Sequence, residues 1–459
     1  MTYHRPIPPG DHVVIVGGGF SGTLLAINLL RHGGPSATLI ERRAGQVARG
    51  VAYSAADPGH LLNVRAANMS ALPDDPGHFV RWLEGRGLGD SRSFVPRTTY
   101  GAYLRDLLAD AARDAGQRLR IVAGEACGIA TDARSVRVTL ADGAAIGGDR
   151  AVLAVGNLPP HTPPGIDPAM LPPGAYLADP WAADLAGGLG ADDTVLLLGT
   201  GLTAIDAALL LDSQGFAGRI VALSRRGLVP RRHVEGLPAP APLAEKPAAT
   251  LTGLSRSVRE ASAKGDWRAA VDSLRPVTQM LWAGADATNR ARFLRHLRPF
   301  WDVHRHRLAP SVADRIDTLV ASKRLSFVAG KTIAARAQGH GASVTWRPRR
   351  AGAARTSAVA RIVNCTGPQG DLLRSDDGLL RALLTTGCIR ADALRLGLDV
   401  DASSRVVAAD GRPQDRLFAV GPMTRGDLWE VVAVPDLRVQ TWTLARHLSN
   451  AHWVGGEGL

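Results

Sequence analysis

The chain has 459 residues, more than one hydrophobic core usually supports, so two or three domains are expected. Its hydrophobic fraction of 45% and charged fraction of 21% are those of an ordinary globular protein, not of a disordered or fibrous one. The formal net charge of +12 invites a nucleic-acid reading, but only four of the 54 basic residues are lysine and the arginines are spread along the chain. Compositional bias together with anionic cofactors explains the charge, and no nucleic-acid partner is expected.

MTYHRPIPPGDH, ahead of the first apolar run, is polar and proline-rich, unlike a secretory leader. The first strand, glycine turn and helix are predicted over about Val13–His32, with a second strand at Thr38–Glu41. A glycine- and proline-punctuated segment then runs to about Pro96, with helices expected near Phe79–Glu84 and Tyr100–Ala115. Ile121–Ala123, Val136–Leu140 and Ala151–Val155 read as strands. Val155–Pro173 holds seven prolines and reads as a hinge or linker.

A second strand–turn–helix unit follows at Val195–Leu211, with its next strand at Ile220–Leu223. The run from Val195 to Leu211 is the closest approach to a membrane span, and Gly199, Thr200, Gly201 and Asp206 break it. From about Leu251 to Ala321 the pattern is helical, with Trp267, Trp282 and Trp301 available for packing. Strands return at Leu325–Val328, Arg361–Asn364 and Leu417–Val420, and a last helix is expected over about Pro435–His447. Three scattered cysteines (Cys127, Cys365, Cys388) give neither a disulfide framework nor a metal spacing, and the lack of a Cys-x-x-Cys pair argues against thiol–disulfide chemistry. No metal is expected, no membrane is expected, and the chain reads as cytoplasmic.

Gly17-x-Gly19-x-x-Gly22 places a turn glycine, a glycine for close approach to a pyrophosphate, and a glycine for helix–strand packing between strand and helix. Phe20 and Ser21 open that helix, whose N-terminal amides suit phosphate. Glu41 ends the next strand, where a carboxylate hydrogen-bonds ribose hydroxyls, and Arg42 follows it. The second turn, Gly199-Thr200-Gly201-Leu202-Thr203-Ala204, has alanine at its third small position. Its next strand ends in Ser224-Arg225-Arg226, where the first has Glu41-Arg42-Arg43. An acidic residue there repels a 2′-phosphate, whereas serine and arginine bind one, unless these arginines are only solvated surface. The expectation is FAD at the first turn and NADPH at the second, with NADH possible. The C-terminal strand reaches Gly421, beside which backbone passes close to the flavin. Pro435 and Asp436 then open a helix whose positive end suits the reduced flavin.

At these residues the chain resembles flavoproteins with two dinucleotide-binding domains. LAVGNLPP (Leu153–Pro160) and VNCTGP (Val363–Pro368) look like the strands that leave and re-enter the FAD domain. The segments Gly50–Leu83, Trp301–Pro310 and Gly426–Gln440 resemble a bacterial family described as FAD/NAD(P)-binding proteins, which includes an FAD-dependent urate hydroxylase and is a looser relative of the N-hydroxylating and Baeyer–Villiger monooxygenases. The resemblance implies an α/β fold of two Rossmann-like domains. Residues 1–165 and 336–459 would form the FAD domain, and residues 166–335 an inserted NAD(P)H domain with a helical insertion at about 245–322.

It also implies that His60, Asn63 and Met69 lie near the flavin and that Arg97 belongs to an arginine-plus-aromatic segment beside it. Without the resemblance, His60 reads equally as a loop-capping residue and Met69 as packing. Trp301–Arg307 is either a substrate or coenzyme contact over the flavin or a salt-bridged helix face. The expected activity is that of a single-component monooxygenase using dioxygen on a small molecule. Urate, converted to 5-hydroxyisourate, is one expected substrate, held by Arg97 and Arg305 with Asn63 and His60 donating hydrogen bonds. An amine N-hydroxylase and a reductase serving a partner or quinone are the alternatives. Oligomeric state is not legible.

Overall fold

The computed structural model describes residues 11–54, 57–181, 184–235, 247, 249–350 and 352–449. The polar N-terminal segment and the place where the helical insertion was expected to begin lie largely outside these residues. The first unit contributes β1 (His12–Val16), α1 (Phe20–Arg31), β2 (Ser36–Glu41), α2 (His78–Glu84), α3 (Arg97–Ala115) and β3 (Leu119–Ala123). A three-stranded antiparallel excursion follows, β4 (Ala126–Thr131), β5 (Val136–Leu140) and β6 (Ala145–Gly148), and then β7 (Arg150–Leu153). The chain crosses to β8 (Tyr176–Leu177), β9 (Thr194–Leu198), α4 (Leu202–Ser213) and β10 (Arg219–Ser224). The insertion supplies α5 (Leu251–Lys264), α6 (Trp267–Asp272), α7 (Thr278–Gly284), α8 (Ala287–Arg292), α9 (Arg298–Arg305) and α10 (Pro310–Ala321). After β11 (Leu325–Gln338), β12 (Gly341–Pro348), β13 (Arg355–Val359) and β14 (Arg361–Asn364) come α11 (Gly378–Thr385), β15 (Arg405–Val407), β16 (Pro413–Ala419) and α12 (Val434–Leu448).

Two large sheets result. The first has the order β15-β16-β7-β1-β2-β3, so strands from the end of the chain complete a sheet begun at its start. The apolar run Val13–Val16 forms its centre, pairing in parallel with β2 on one side and β7 on the other; α1 and α12 cover one face, and the β4–β6 sheet together with α11 covers the other. Helix α12 packs along α1, burying Leu444, Ala445 and Leu448 against Leu25, Ala26 and Leu29. The second sheet has the order β13-β12-β11-β10-β9-β14-β8. The architecture is that of two Rossmann-like units, the second carried within the first.

The second sheet does not stop at residue 335. Strand β11 pairs in parallel with β10 over Leu325–Ala329, passes a register shift between Thr332 and Ala334, and turns into an antiparallel hairpin with β12 and β13. Strand β14 then takes a central place beside β9. The end of β11 and strands β12, β13 and β14 therefore belong to the second sheet rather than the first. Strand β13 is largely exposed and shows no apolar alternation, so nothing in its pattern marked it as sheet. The two crossings between units touch each other. An isolated bridge joins Leu158 to Gln369, and Asn364 Nδ2 donates to His161 O at 2.9 Å.

Candidate dinucleotide cleft between the two units

The two glycine turns are built alike. Gly17 (φ +108°) donates from N to Ile40 O, and a Cβ on it would lie 2.3 Å from the carbonyl oxygen of Ala154, just past β7. Gly199 (φ +128°) donates from N to Leu223 O, and its Cβ would lie 2.3 Å from the carbonyl of Cys365, just past β14. Both positions require glycine by conformation and by space. A Cβ on Gly22 would lie 1.9 Å from Gly17 O, so the third glycine lets α1 cross its strand, whereas the second unit fits Ala204 there. Gly19 differs from Gly17 and Gly22, since its Cβ would meet only Gly50, with the Cα at 3.5 Å. No side chain caps the N-terminus of α1, α4 or α12, which leaves their first amides for a ligand.

The first turn borders a cleft of about 2000 Å³, its open mouth included, which the second unit reaches through Thr203 at the start of α4. Gly17, Gly19, Phe20, Ser21, Glu41 and Arg42 line it from the first unit, with Arg43, Arg49, Gly50, Tyr53 and Arg97. Thr203 reaches it from α4, Trp181 and Asn364 from the crossings, and Pro422, Val432 and Leu437 from the C-terminal segment. The buried Glu41 carboxylate is oriented by two backbone donors, Gly18 N on Oε2 and Arg43 N on Oε1, both at 2.9 Å. A carboxylate has about four acceptor positions, so capacity remains for ribose hydroxyls. Arg42 pairs with Asp377 at 3.3 Å and Glu125 at 3.6 Å. Gly421, at φ +97°, does not face the cleft. Its N donates to Gln440 Oε1, and a Cβ there would press on Ser21 Oγ at 2.9 Å, so it lets α1 seat. The cleft residues suit a dinucleotide, with backbone approach at Gly19, amides for phosphate and a carboxylate for ribose.

Other expected site residues go elsewhere. Met69 is 2% exposed and packs with Leu24, Phe79 and Tyr103, so it is core. His60, also 2% exposed, donates from Nε2 to Asp206 O, 3.0 Å away, and does not reach the cleft wall. Asn63 accepts His233 Nε2 on its backbone oxygen at 3.0 Å. With Asp57, which accepts from Ser213 Oγ at 2.7 Å, these residues make the loop at 57–65 a contact on the second unit rather than a flavin wall. Arg305 lies 3.5 Å from Glu430 Oε2 and Asp436 pairs with Arg275 at 3.4 Å, both in a charged cluster joining the insertion to the start of α12, which Pro435 opens. Of the four residues expected to hold a heteroaromatic anion, Arg97 and His60 meet, through Arg97 N–H on His60 O, while Asn63 is engaged by His233 and Arg305 by Glu430.

On the second turn, Ser224 Oγ is engaged with Thr200 Oγ1 and Gly227 N. Arg226 donates to Arg295 O and lies 5.1 Å over the Phe300 ring, which ties β10 to the insertion. Arg225 is exposed, without a partner among the described residues. Gly201 and Leu202 frame the start of α4, and Thr203 is the residue there that lines the cleft. In the Trp301–Arg307 cluster, Asp302 pairs with Arg298 at 3.4 Å, and Trp301 Nε1 donates to Glu430 Oε1 at 2.8 Å.

The residue that the sequence undervalued is Asp206. It is 6% exposed on an otherwise apolar helix, and its Oδ2 accepts from Arg97 Nη2 at 2.6 Å. Burial pushes this carboxyl above its ordinary value, against the pull of Arg97 and His60. Its only sequence signal is a lone charge in a hydrophobic run.

The junction also carries a pH dependence. Burial beside Asn63 pushes His233 down to about 4 from 6.5. A depressed histidine stabilises the fold fully above 6.5 and loses that contribution as pH falls from 6.5 to about 4, by roughly 3 kcal/mol in all. Thermal unfolding measured across this window should show the loss, and His233→Gln should flatten it. An equally steep loss in the variant would assign the effect to other groups.

Residues 14–158 match the family described as FAD-NAD(P)-binding. No curated protein shows significant sequence similarity to the chain. Among solved structures, the ornithine N-hydroxylase of Kutzneria sp. 744, solved with reduced FAD, NADP+ and L-ornithine, is 17% identical at a TM-score of 0.65, covering 96% of this chain and 100% of its own. Ornithine hydroxylase from Pseudomonas aeruginosa and L-lysine 6-monooxygenase from Pseudomonas syringae are each 16% identical at 0.64, over 96% of this chain and 99% of theirs. At such identities the likeness is one of fold. Among the described residues no helix is long and apolar enough to cross a membrane.

Proposed function

We propose that the protein is an FAD-dependent, NAD(P)H-consuming monooxygenase that oxygenates a small molecule with dioxygen. The observation that carries this reading is the pair of matched glycine turns, one in each unit, with a cleft that the first turn lines and that Thr203, just past the second, reaches. Two dinucleotide sites on one cleft suit hydride passage between two dinucleotides. The fold similarity to FAD- and NADP+-bearing hydroxylases supports the same reading.

FAD at the first turn would supply the redox chemistry, taking a hydride and activating dioxygen. The chain's own residues bind and orient. The amides at the start of α1 receive a pyrophosphate, Glu41 receives ribose hydroxyls, and Tyr53 and Trp181 give aromatic walls that exclude water. At the second turn the start of α4 receives the coenzyme diphosphate, and Arg225 is the side chain available to a 2′-phosphate. Arg225→Ala is expected to raise the NADPH Michaelis constant about tenfold or more and to leave NADH nearly unchanged, since one charge-assisted contact is worth roughly 1.5–3 kcal/mol. Equal effects on both coenzymes would remove Arg225 from that role.

A reductase passing electrons to a partner or quinone is the rival reading. NADPH oxidation in air, with products analysed, distinguishes them: an oxygenase couples its NADPH use to an oxygenated product, whereas a reductase couples it to its electron acceptor. Urate remains the finer substrate reading from the sequence resemblance, with an amine as its rival. NADPH and oxygen consumption with urate beside a panel of amines, with products identified by mass, decides between them. Stimulation by an amine alone would discard urate and leave the monooxygenase reading standing.

A further inference from the structure

The junction between the units contains an ion pair that no cofactor turn requires. Arg97 opens α3 in the first unit, and Asp206 sits inside α4 of the second, one turn past Thr203. The Arg97 side chain is 19% exposed, and the exposed part lines the cleft that Thr203 also lines. It is held from three directions. Asp206 Oδ2 takes one guanidinium N–H at 2.6 Å, the Trp181 ring lies 5.8 Å from the guanidinium carbon, and the Arg97 backbone N–H donates to His60 O at 2.9 Å. His60 in turn contacts the Asp206 backbone oxygen and meets Trp181 edge-on at 5.4 Å. The other guanidinium donors have no protein partner among the described residues.

A carboxylate buried in an apolar helix is costly unless paired, so its place in α4 needs a reason. The pairing gives one. Arg42 and Arg49, also on the cleft, are engaged within the first unit, the former by Asp377 and the latter by Gly45 O. Arg97 is the arginine tied to the helix whose uncapped N-terminus faces the second turn. We propose that Asp206 is a positioning residue that holds Arg97 across the junction as the countercharge for the diphosphate–nicotinamide half of the reduced coenzyme. The cation is then in place only when the two units are docked. A dinucleotide diphosphate is an anion whose oxygens match a guanidinium fork, and α4 amides approach it from the other side. This rests on the coenzyme site proposed above.

The test uses the FAD-loaded protein and two probes: NADP+, and adenosine 2′,5′-bisphosphate, which lacks the diphosphate–nicotinamide half. Asp206→Asn is expected to weaken NADP+ binding about tenfold while changing bisphosphate binding by under about twofold, with flavin content unchanged. Arg97→Gln alone leaves a buried carboxylate unpaired, so the double variant Arg97→Gln/Asp206→Asn is the control that removes both charges. In the Arg97→Gln background the Asp206 substitution should have no further effect on NADP+. Unchanged NADP+ affinity in Asp206→Asn overturns the proposal, as does equal weakening of both probes, which would make the pair a structural tie. Wild-type protein that binds neither probe would overturn the coenzyme site itself and this proposal with it. Wild-type binding of both, with Asp206→Asn indifferent, defeats the positioning role alone.

Discussion

Gly19→Asp is expected to yield a folded, colourless protein. The added Cβ meets only Gly50, with the Cα at 3.5 Å, and Gly19 has φ −73°, which any residue adopts, so the fold has no reason to object. The carboxylate, however, enters the cleft where backbone must approach a pyrophosphate. Two like charges about 4 Å apart near a protein surface repel by roughly 4 kcal/mol, on the order of a thousandfold in affinity. Gly22→Ala makes the opposite trade. Its Cβ would fall 1.9 Å from Gly17 O, forcing α1 off its strand, and overpacking of that kind costs about 1–3 kcal/mol of stability before any ligand is considered. Flavin absorbance per protein and the melting temperature, read together, separate the two effects. A yellow Gly19→Asp protein would mean that FAD is held somewhere other than this turn.

The second large effect concerns the helical insertion. Trp282, on α7, is 5% exposed and stacks on Trp429 with ring centroids 4.6 Å apart. Its Nε1–H donates to Gly426 O at 2.8 Å, and the Arg290 guanidinium lies 5.4 Å over the ring. Trp429 belongs to the segment that leads through Val432, on the cleft wall, into α12. This side chain thus helps to fasten the insertion to the C-terminal wall of the cleft, beside the charged contacts on Glu430 and Asp436. Trp282→Ala should cost about 3–5 kcal/mol. Hydrogen exchange is expected to rise through α7 and α8, with NADPH-driven turnover falling while flavin content holds. Trp282→Phe keeps the stacking and loses the hydrogen bond, so about 1 kcal/mol is expected. Unaltered protection of α7 in the alanine variant would contradict this view of the anchor.

How much of this was legible beforehand depended on range. The two glycine turns were readable because every requirement they meet is local. Gly17 must take positive φ, the α1 amides must be free, and Glu41 must end the adjacent strand. All three demands fall within about 25 residues of sequence, the spacing of a dinucleotide-binding fingerprint. The strands Val13–Val16 and Val195–Leu198 announced themselves by continuous apolar runs, because strands buried on both faces need no alternation. The return of the C-terminus to the first sheet was also readable, from an apolar strand ending at Gly421. By contrast, β13 is a largely exposed hairpin strand without apolar alternation, and the place of β12 and β13 in the second sheet is set by β11 running on past its bulge.

The contents of the site beyond the turns were decided by tertiary structure alone. His60, Asn63 and Met69 are polar or adaptable residues in a long loop, and sequence offers no way to tell a loop that faces a ligand from one that faces another domain. The fold sends His60 and Asn63 to the second unit and Met69 to the core. Arg305 and Asp436 stand 131 residues apart, yet both join the charged cluster at the start of α12, because the insertion folds back onto that helix. Asp206 and Arg97 are 109 residues apart and meet only because the two units dock. What the sequence by itself determined is the pair of nucleotide turns and the class of fold, since each follows from steric demands within one strand–turn–helix. Only the tertiary structure decided which charges face the cleft, because a charge finds its partner through space and not along the chain.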